Sequence, residues 1–184
     1  MDKAPLKDTV IPFRARDGME CNLIHVEGEK PATKGPVHGA GVRANIFRAP
    51  VQTNLVDFLV ANAYDVWLEN WRASIDLPPT LWTLDQAAIY DHPAAVQTIC
   101  ERTGSRGIKA VIHCQGSTSF MMSAVAGLLP QVKTVVSNAV ALHTIIPRFS
   151  AFKIRYALPL LDFVEDYLDP QWGLHAPTLV AKLI

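Results

Sequence analysis

The sequence predicts an α/β protein: a mostly parallel sheet with flanking helices, entered through an N-terminal β-hairpin. Three observations carry this. Short apolar, β-prone runs alternate with helical text along the chain, the pattern of strands joined by crossover helices. One such run, Ile108-Lys109-Ala110-Val111-Ile112-His113, passes directly into a helix-like stretch through Cys114-Gln115-Gly116. Near the start, Asp17-Gly18 separates two β-prone runs, which is a hairpin signal.

The elements follow in order. Val10 to Ala15 and Met19 to Val26 are the hairpin strands. Residues 28–36 are polar and rich in Gly, Pro and Lys, hence loop. Only Val37 separates Pro36 from His38, so the next strand is expected to be very short. His38-Gly39-Ala40-Gly41 then reads as a tight loop that presents backbone N–H groups. Residues 52–61 carry Leu55, Phe58 and Leu59 at helical spacing. Asp65 to Glu69 is a short buried strand, and Asn70 to Pro79 a long loop. Thr83-Leu84-Asp85-Gln86 has the form of a capping box and opens a helix. Pro93 is expected to break that helix near Asp91-His92, with a second segment running to Gly104. The strand from Ile108 leads into a helix over 115–128 that Pro130 ends. Lys133 to Ala139 is the next strand, and from Pro147 the text is helical and amphipathic. This divides the chain into a core, 1–145, and a helical cap-like segment, 146–184. No strand is legible after Ala139, so the sheet reads as incomplete at its C-terminal side.

Composition narrows the function. The 184 residues are 49% hydrophobic, with 17 basic and 17 acidic side chains and a net charge of zero. That balance argues against a nucleic-acid partner. No apolar run is long enough to span a bilayer, and the first residues lack a signal-peptide core. Cys21, Cys100 and Cys114 are odd in number and widely spaced. They match neither a zinc site nor a disulfide framework, so no metal or cofactor is expected and the simplest location is the reducing cytoplasm.

The strand–Cys114–helix junction reads as a nucleophile elbow, a sharp turn that lifts one reactive side chain above a helix N-terminus. In the usual Gly-x-Ser-x-Gly pattern, Cys114 fills the nucleophile slot, Gly116 the second glycine slot and Ile112 the first.

Three motifs in order give the chain a family likeness. His38-Gly39 matches an oxyanion loop. Tyr64-Asp65-Val66-Trp67-Leu68-Glu69-Asn70-Trp71-Arg72 matches a Tyr-Asp-Val-Trp-Leu-Gly-Asn-x-Arg box. His113-Cys114-Gln115-Gly116-Ser117 matches His-Ser-Gln-Gly-Thr. Tyr90-Asp91-His92-Pro93-Ala94 also resembles Tyr-Asp-Leu-Pro-Ala. Over residues 35–145 the chain thus resembles the α/β-hydrolases, and within them the acid lipases. Through Val-Arg-Ala-Asn-Ile-Phe-Arg and Trp-Arg-Ala-Ser-Ile-Asp-Leu-Pro it is similar to lipase-like domains joined to bacterial flavin-dependent oxidoreductases of the glucose-methanol-choline type, sterol oxidases among them.

The resemblance implies an acyl (ester or thioester) hydrolase with Cys114 as nucleophile. The backbone N–H groups of Gln115 and Ala40 would form the oxyanion hole, and His38, Gly39, Gly116 and His113 would support them. The ligand would be a small apolar ester or a lipid- or sterol-like molecule. The alternative is a non-catalytic module that binds an apolar ligand or partners a flavin oxidoreductase domain. The acid and the His base would follow the elbow on later strands; none is legible after Ala139, and His143 and His175 lie in loop and helical text, so both groups are expected to be absent from this chain, which reads as a fragment of a larger enzyme. Arg72 and Asp91 are expected to anchor loops. Trp67, Trp71 and Trp82 are expected to pack, His25 and His92 to be structural, and Ser117 and Ser119 to be ordinary helix residues.

Overall fold

The computed structural model describes residues 6–28, 31–40, 43–141, 145–152 and 155–156, and of residues 36–40 the backbone. Six strands form one sheet in the order β1-β2-β4-β3-β5-β6. Strands β1 (Lys7–Arg14) and β2 (Glu20–Glu27) make the expected antiparallel hairpin. Gly18 takes φ 93° in its turn, which a side chain would oppose. Strand β2 also pairs antiparallel with β4 (Tyr64–Asn70). From there the sheet is parallel: β3 (Lys34–Ala40) lies between β4 and β5 (Ile108–His113), and β6 (Val132–Asn138) flanks β5.

Strand β3 corrects one expectation. It is seven residues long, and His38, Gly39 and Ala40 belong to the strand rather than to a loop after it. Backbone ladders on both sides hold it extended: His38 faces Trp67 and Ala110, and Gly39 faces Leu68 and Val111. Strand pairing thus overrides the low β-propensity of Gly and Pro. The register shifts between Lys34 and Pro36, where proline has no N–H to give the ladder.

The sheet buries both faces, and the alternation along β4 shows it. Trp67 packs in a cluster with Leu23, Ala95, Ile99, Ile112 and Phe120, whereas Val66 and Leu68 pack in a second cluster with Val26, Phe47 and Val56. The first cluster includes side chains of α3 (His92–Thr103) and α4 (Cys114–Val125), the second those of α1 (Leu55–Ala61).

Helix α1 starts later than its apolar spacing suggested, because Asn54 and Asp57 close a capping box there. The expected box at Thr83 and Gln86 is present and opens α2 (Leu84–Gln86). The helix does not break at Pro93. It runs from α2 through a π-helical turn, Ala87–Asp91, into α3. Pro93 falls in the first turn of α3, where the wider π turn accommodates a ring that would clash in a regular helix. Gly104 ends α3 at φ 67°. Helix α4 stops at Val125 rather than Leu128, and Gly127 at φ 72° follows it, so glycine and not Pro130 marks this end.

By contacts the chain separates into units 1–141 and 142–184. In the second unit the described residues include α5 (Arg148–Phe152) and a ring contact of 5.0 Å between Phe152 and Tyr156. His143, His175 and most of the expected cap-like segment lie outside the described residues.

Candidate active site

The strands β4, β3, β5 and β6 end at one edge of the sheet. Ala40 is level with Glu69 on one side and Ile112 on the other, and His113 is level with Asn138. Cys114 follows His113 directly at this edge. Its φ is 52°, in the left-handed region that non-glycine residues avoid. Among the described non-glycine residues only Ala63 and Ala139 share a positive φ. The chain leaves β5 extended at His113 (φ −142°) and enters α4 at Cys114, so this one residue absorbs the reversal. The turn is an elbow, and the Cys114 side chain is exposed at its tip.

A helix end sets the surroundings of Cys114. Cys114 stands at the N-terminus of a 12-residue helix whose first turn carries no acidic side chain. The unpaired N–H groups of that turn stabilise negative charge nearby. The Ser117 hydroxyl donates to the Cys114 carbonyl oxygen, which holds the turn from behind. The other thiols differ. Burial pushes the Cys21 thiol far up, and the Asp91 and Glu69 charges push it further. Burial and then Glu101 raise Cys100. Cys21 is buried on β2 beside the end of β4, and Cys100 lies in α3.

The remaining expected site residues divide. Ala40, the last residue of β3, lies at the same edge as the elbow. Gln115 and Gly116 form the first turn of α4, with Gly116 buried. His113 is half-buried at the end of β5. His38 and Gly39 lie within β3, level with Ala110 and Val111, and therefore below the edge. Among the described residues no cluster of His, Cys, Asp and Glu could hold a metal ion.

Beneath the elbow lies a polar assembly that sequence reasoning missed. Glu69 on β4, His92 at the start of α3 and Ser119 on α4 are all fully buried. The Glu69 carboxylate oxygens stand 2.9 and 3.1 Å from His92 Nδ1, and His92 Nε2 stands 2.7 Å from Ser119 Oγ. Ionised carboxylate oxygens can only accept, so Nδ1 donates. Ser123 Oγ donates to the Ala88 carbonyl and lies 3.2 Å from the Ser119 carbonyl. The signal for this assembly was present. Glu69 stands where the lipase box has Gly, and His92 where its partner motif has Leu, and these two departures touch. Beside it, Arg72 and Asp91 form the expected anchor. His25 stacks on Trp67 at 4.1 Å and bonds to Asp65, while Trp71 packs edge-on to Trp82 at 5.3 Å.

No protein-family model matches the chain. Curated relatives do. The chain is 34% identical over 93 residues to human lipase member K, covering 44% of this chain and 23% of that protein. It is 36% identical over 93 residues to rat gastric triacylglycerol lipase, covering 44% and 24%. It is 25% identical over 131 residues to sterol esterase 2 of Saccharomyces cerevisiae, covering 60% and 24%. The chain therefore spans about a quarter of the length of the curated relatives it matches. Among solved structures it resembles esterase Est22 (TM-score 0.61, 12% identity, 78% of this chain and 47% of that one). It also resembles brefeldin A esterase, a bacterial homologue of human hormone-sensitive lipase (TM-score 0.53, 16% identity, 76% and 42%). The fold is that of the α/β-hydrolases, and the lipase and esterase relatives support a place for the chain in that superfamily.

Proposed function

We propose that this chain carries the nucleophile-bearing part of an ester hydrolase, with Cys114 as the nucleophile. The observation that carries the reading is the φ of 52° at Cys114, between β5 and α4. Strain of this kind at an exposed thiol is what an elbow needs to present its nucleophile. The Cys114 thiolate attacks the ester carbonyl, forming a C–S bond as the carbonyl π electrons move to oxygen. The N–H groups of Gln115 and Ala40 stabilise that oxyanion. Collapse breaks the C–O bond and expels the alkoxide, which takes a proton from water. A second water then adds to the acyl-thiol carbonyl, giving one proton to the hydroxide left by the first; the C–S bond breaks, and the carboxylic acid and the Cys114 thiolate are released. The lipase and sterol esterase relatives support an apolar acyl ester as substrate. His113 and Gly116 shape the turn; His38 and Gly39 act at a distance, as strand residues that seat Ala40.

The test is hydrolysis of p-nitrophenyl butyrate, with mass spectrometry of the intact chain. A butyryl adduct on Cys114, and loss of both adduct and turnover in Cys114→Ala, are expected. Turnover unchanged by Cys114→Ala would overturn the assignment. A second reading, favoured by the thiol in the slot that serine usually fills, is a non-catalytic module that binds an apolar ligand or partners a flavin-dependent sterol-type oxidoreductase. Saturable binding of a sterol without any acyl adduct would support that reading instead.

A further inference from the structure

We propose that Glu69, His92 and Ser119 form a buried positioning relay, which ties the central strand β4 to the first turn of the elbow helix and so holds Cys114 in its exposed, strained pose. This rests on the reading of Cys114 as the reactive residue. The arrangement is that of an acid, an imidazole and a hydroxyl in series. It is not a second catalytic centre, because Ser119 and His92 are both fully buried and an acyl substrate cannot reach the hydroxyl.

What the relay touches indicates its role. Ser119 gives its one hydroxyl proton to His92 Nε2, which fixes α4 one turn beyond Cys114, and Ser117 Oγ donates to the carbonyl of Cys114. That carbonyl belongs to the first turn of α4, the turn that Cys114 begins. The buried face of α4 bears four small residues, Gly116, Ser117, Ser119 and Ser123, beside one large one, Phe120, which packs in the apolar core. Small side chains let α4 approach the π turn closely, and hydroxyls satisfy the polar groups met there, the His92 ring and the Ala88 carbonyl. An apolar α4 face would pack without this chain of bonds but would not fix the helix in rotation or along its axis. A hydrogen-bonded series has one satisfied arrangement, because a buried group left unpaired is costly. The anchor end is firm: Glu69 sits on a strand paired on both sides, level with Leu23 and Ala40.

The experiment reads the rate at which iodoacetamide alkylates Cys114 in the full chain at neutral pH, by peptide mass mapping. Ser119→Ala removes only the hydroxyl, and His92→Leu removes the ring. Both are expected to alkylate about two- to fivefold more slowly, the range that follows from losing a helix-end interaction with the thiolate. Glu69→Gln keeps an acceptor for Nδ1–H and is expected to stay within about twofold of the parent, since the bond and not the charge does the positioning. Ile99→Ala, a core truncation in α3 away from the relay, controls for general loosening, with circular dichroism and thermal midpoints recorded for every variant. The relay is overturned if folded Ser119→Ala alkylates at the parent rate, or if Ile99→Ala slows Cys114 as much. Should His92→Leu fail to fold, Ser119→Ala and Glu69→Gln still decide it. If the nucleophile reading alone is wrong, no butyryl adduct forms on Cys114, while the alkylation series still judges the relay.

Discussion

Arg72 grips Asp91 at three points. Its Nε and Nη2 donate at 2.8 and 2.6 Å, and its backbone N–H donates at 3.0 Å. The same Nη2 reaches Asp17 in the hairpin turn at 2.8 Å. Arg72 is nearly and Asp91 fully buried. One guanidinium thus joins the β1–β2 turn, the loop after β4 and the end of the π turn. Removing one partner of such a pair strands the other charge in a low dielectric. Arg72→Ala is expected to lose about 3–5 kcal/mol of stability by urea unfolding. Asp17→Asn, which touches only the half-exposed branch, should lose under about 1 kcal/mol.

The elbow strain has its own signature. At φ 52° a glycine relieves a clash that alanine keeps. Cys114→Gly is expected to be more stable than Cys114→Ala by about 1 kcal/mol, on the scale of the left-handed penalty. Equal midpoints in thermal unfolding would mean that Cys114 carries no backbone strain.

Thiol selectivity follows from burial. Cys21 and Cys100 have thiols pushed up by their surroundings, whereas Cys114 is exposed at a helix N-terminus. Brief iodoacetamide treatment of folded protein is expected to label Cys114 first, Cys100 more slowly and Cys21 only on unfolding. Peptide mapping reads this directly.

Acid stability should carry a contribution from Asp65. Burial raises its carboxyl, but the His25 and Trp67 hydrogen bonds together outweigh burial and hold it below its ordinary 3.8. The unfolded chain therefore binds the proton more readily, so Asp65 stabilises the fold above about pH 4 and this contribution is lost as pH falls below it. Asp65→Asn is expected to flatten the acid limb of a stability–pH curve between about pH 4 and pH 2.

The sheet, its hairpin and the elbow were legible in the sequence because each rests on local signals. Asp17-Gly18 sets a turn, Thr83 and Gln86 a cap, and Ile108 to Cys114 a strand meeting a helix. Strand β3 was not legible, since Gly35, Pro36 and Gly39 are held extended by neighbours that only the folded chain supplies. The π turn escaped for a related reason: Pro93 signals a break, and the wider turn before it is a tertiary solution. Of the candidate site, the elbow could be read from Cys114 and Gly116. The Glu69–His92–Ser119 series left only a trace there, Glu69 and His92 in slots where the two motifs have Gly and Leu, because its members lie on three elements and meet only in space.

Strand β3 also carries a mechanical consequence. Among the described residues it is the only backbone ladder between the β1-β2-β4 half of the sheet and the β5–β6 pair that bears Cys114. Pro36 contributes no amide to it, and the register slips beside that residue. Such a seam is where a sheet parts first under load or in a native-state fluctuation. Amides of β5 and β6 should then exchange with deuterium as one block, separately from those of β2 and β4. Cys114 would then move with the β5–β6 block, across that seam from the hairpin and β4.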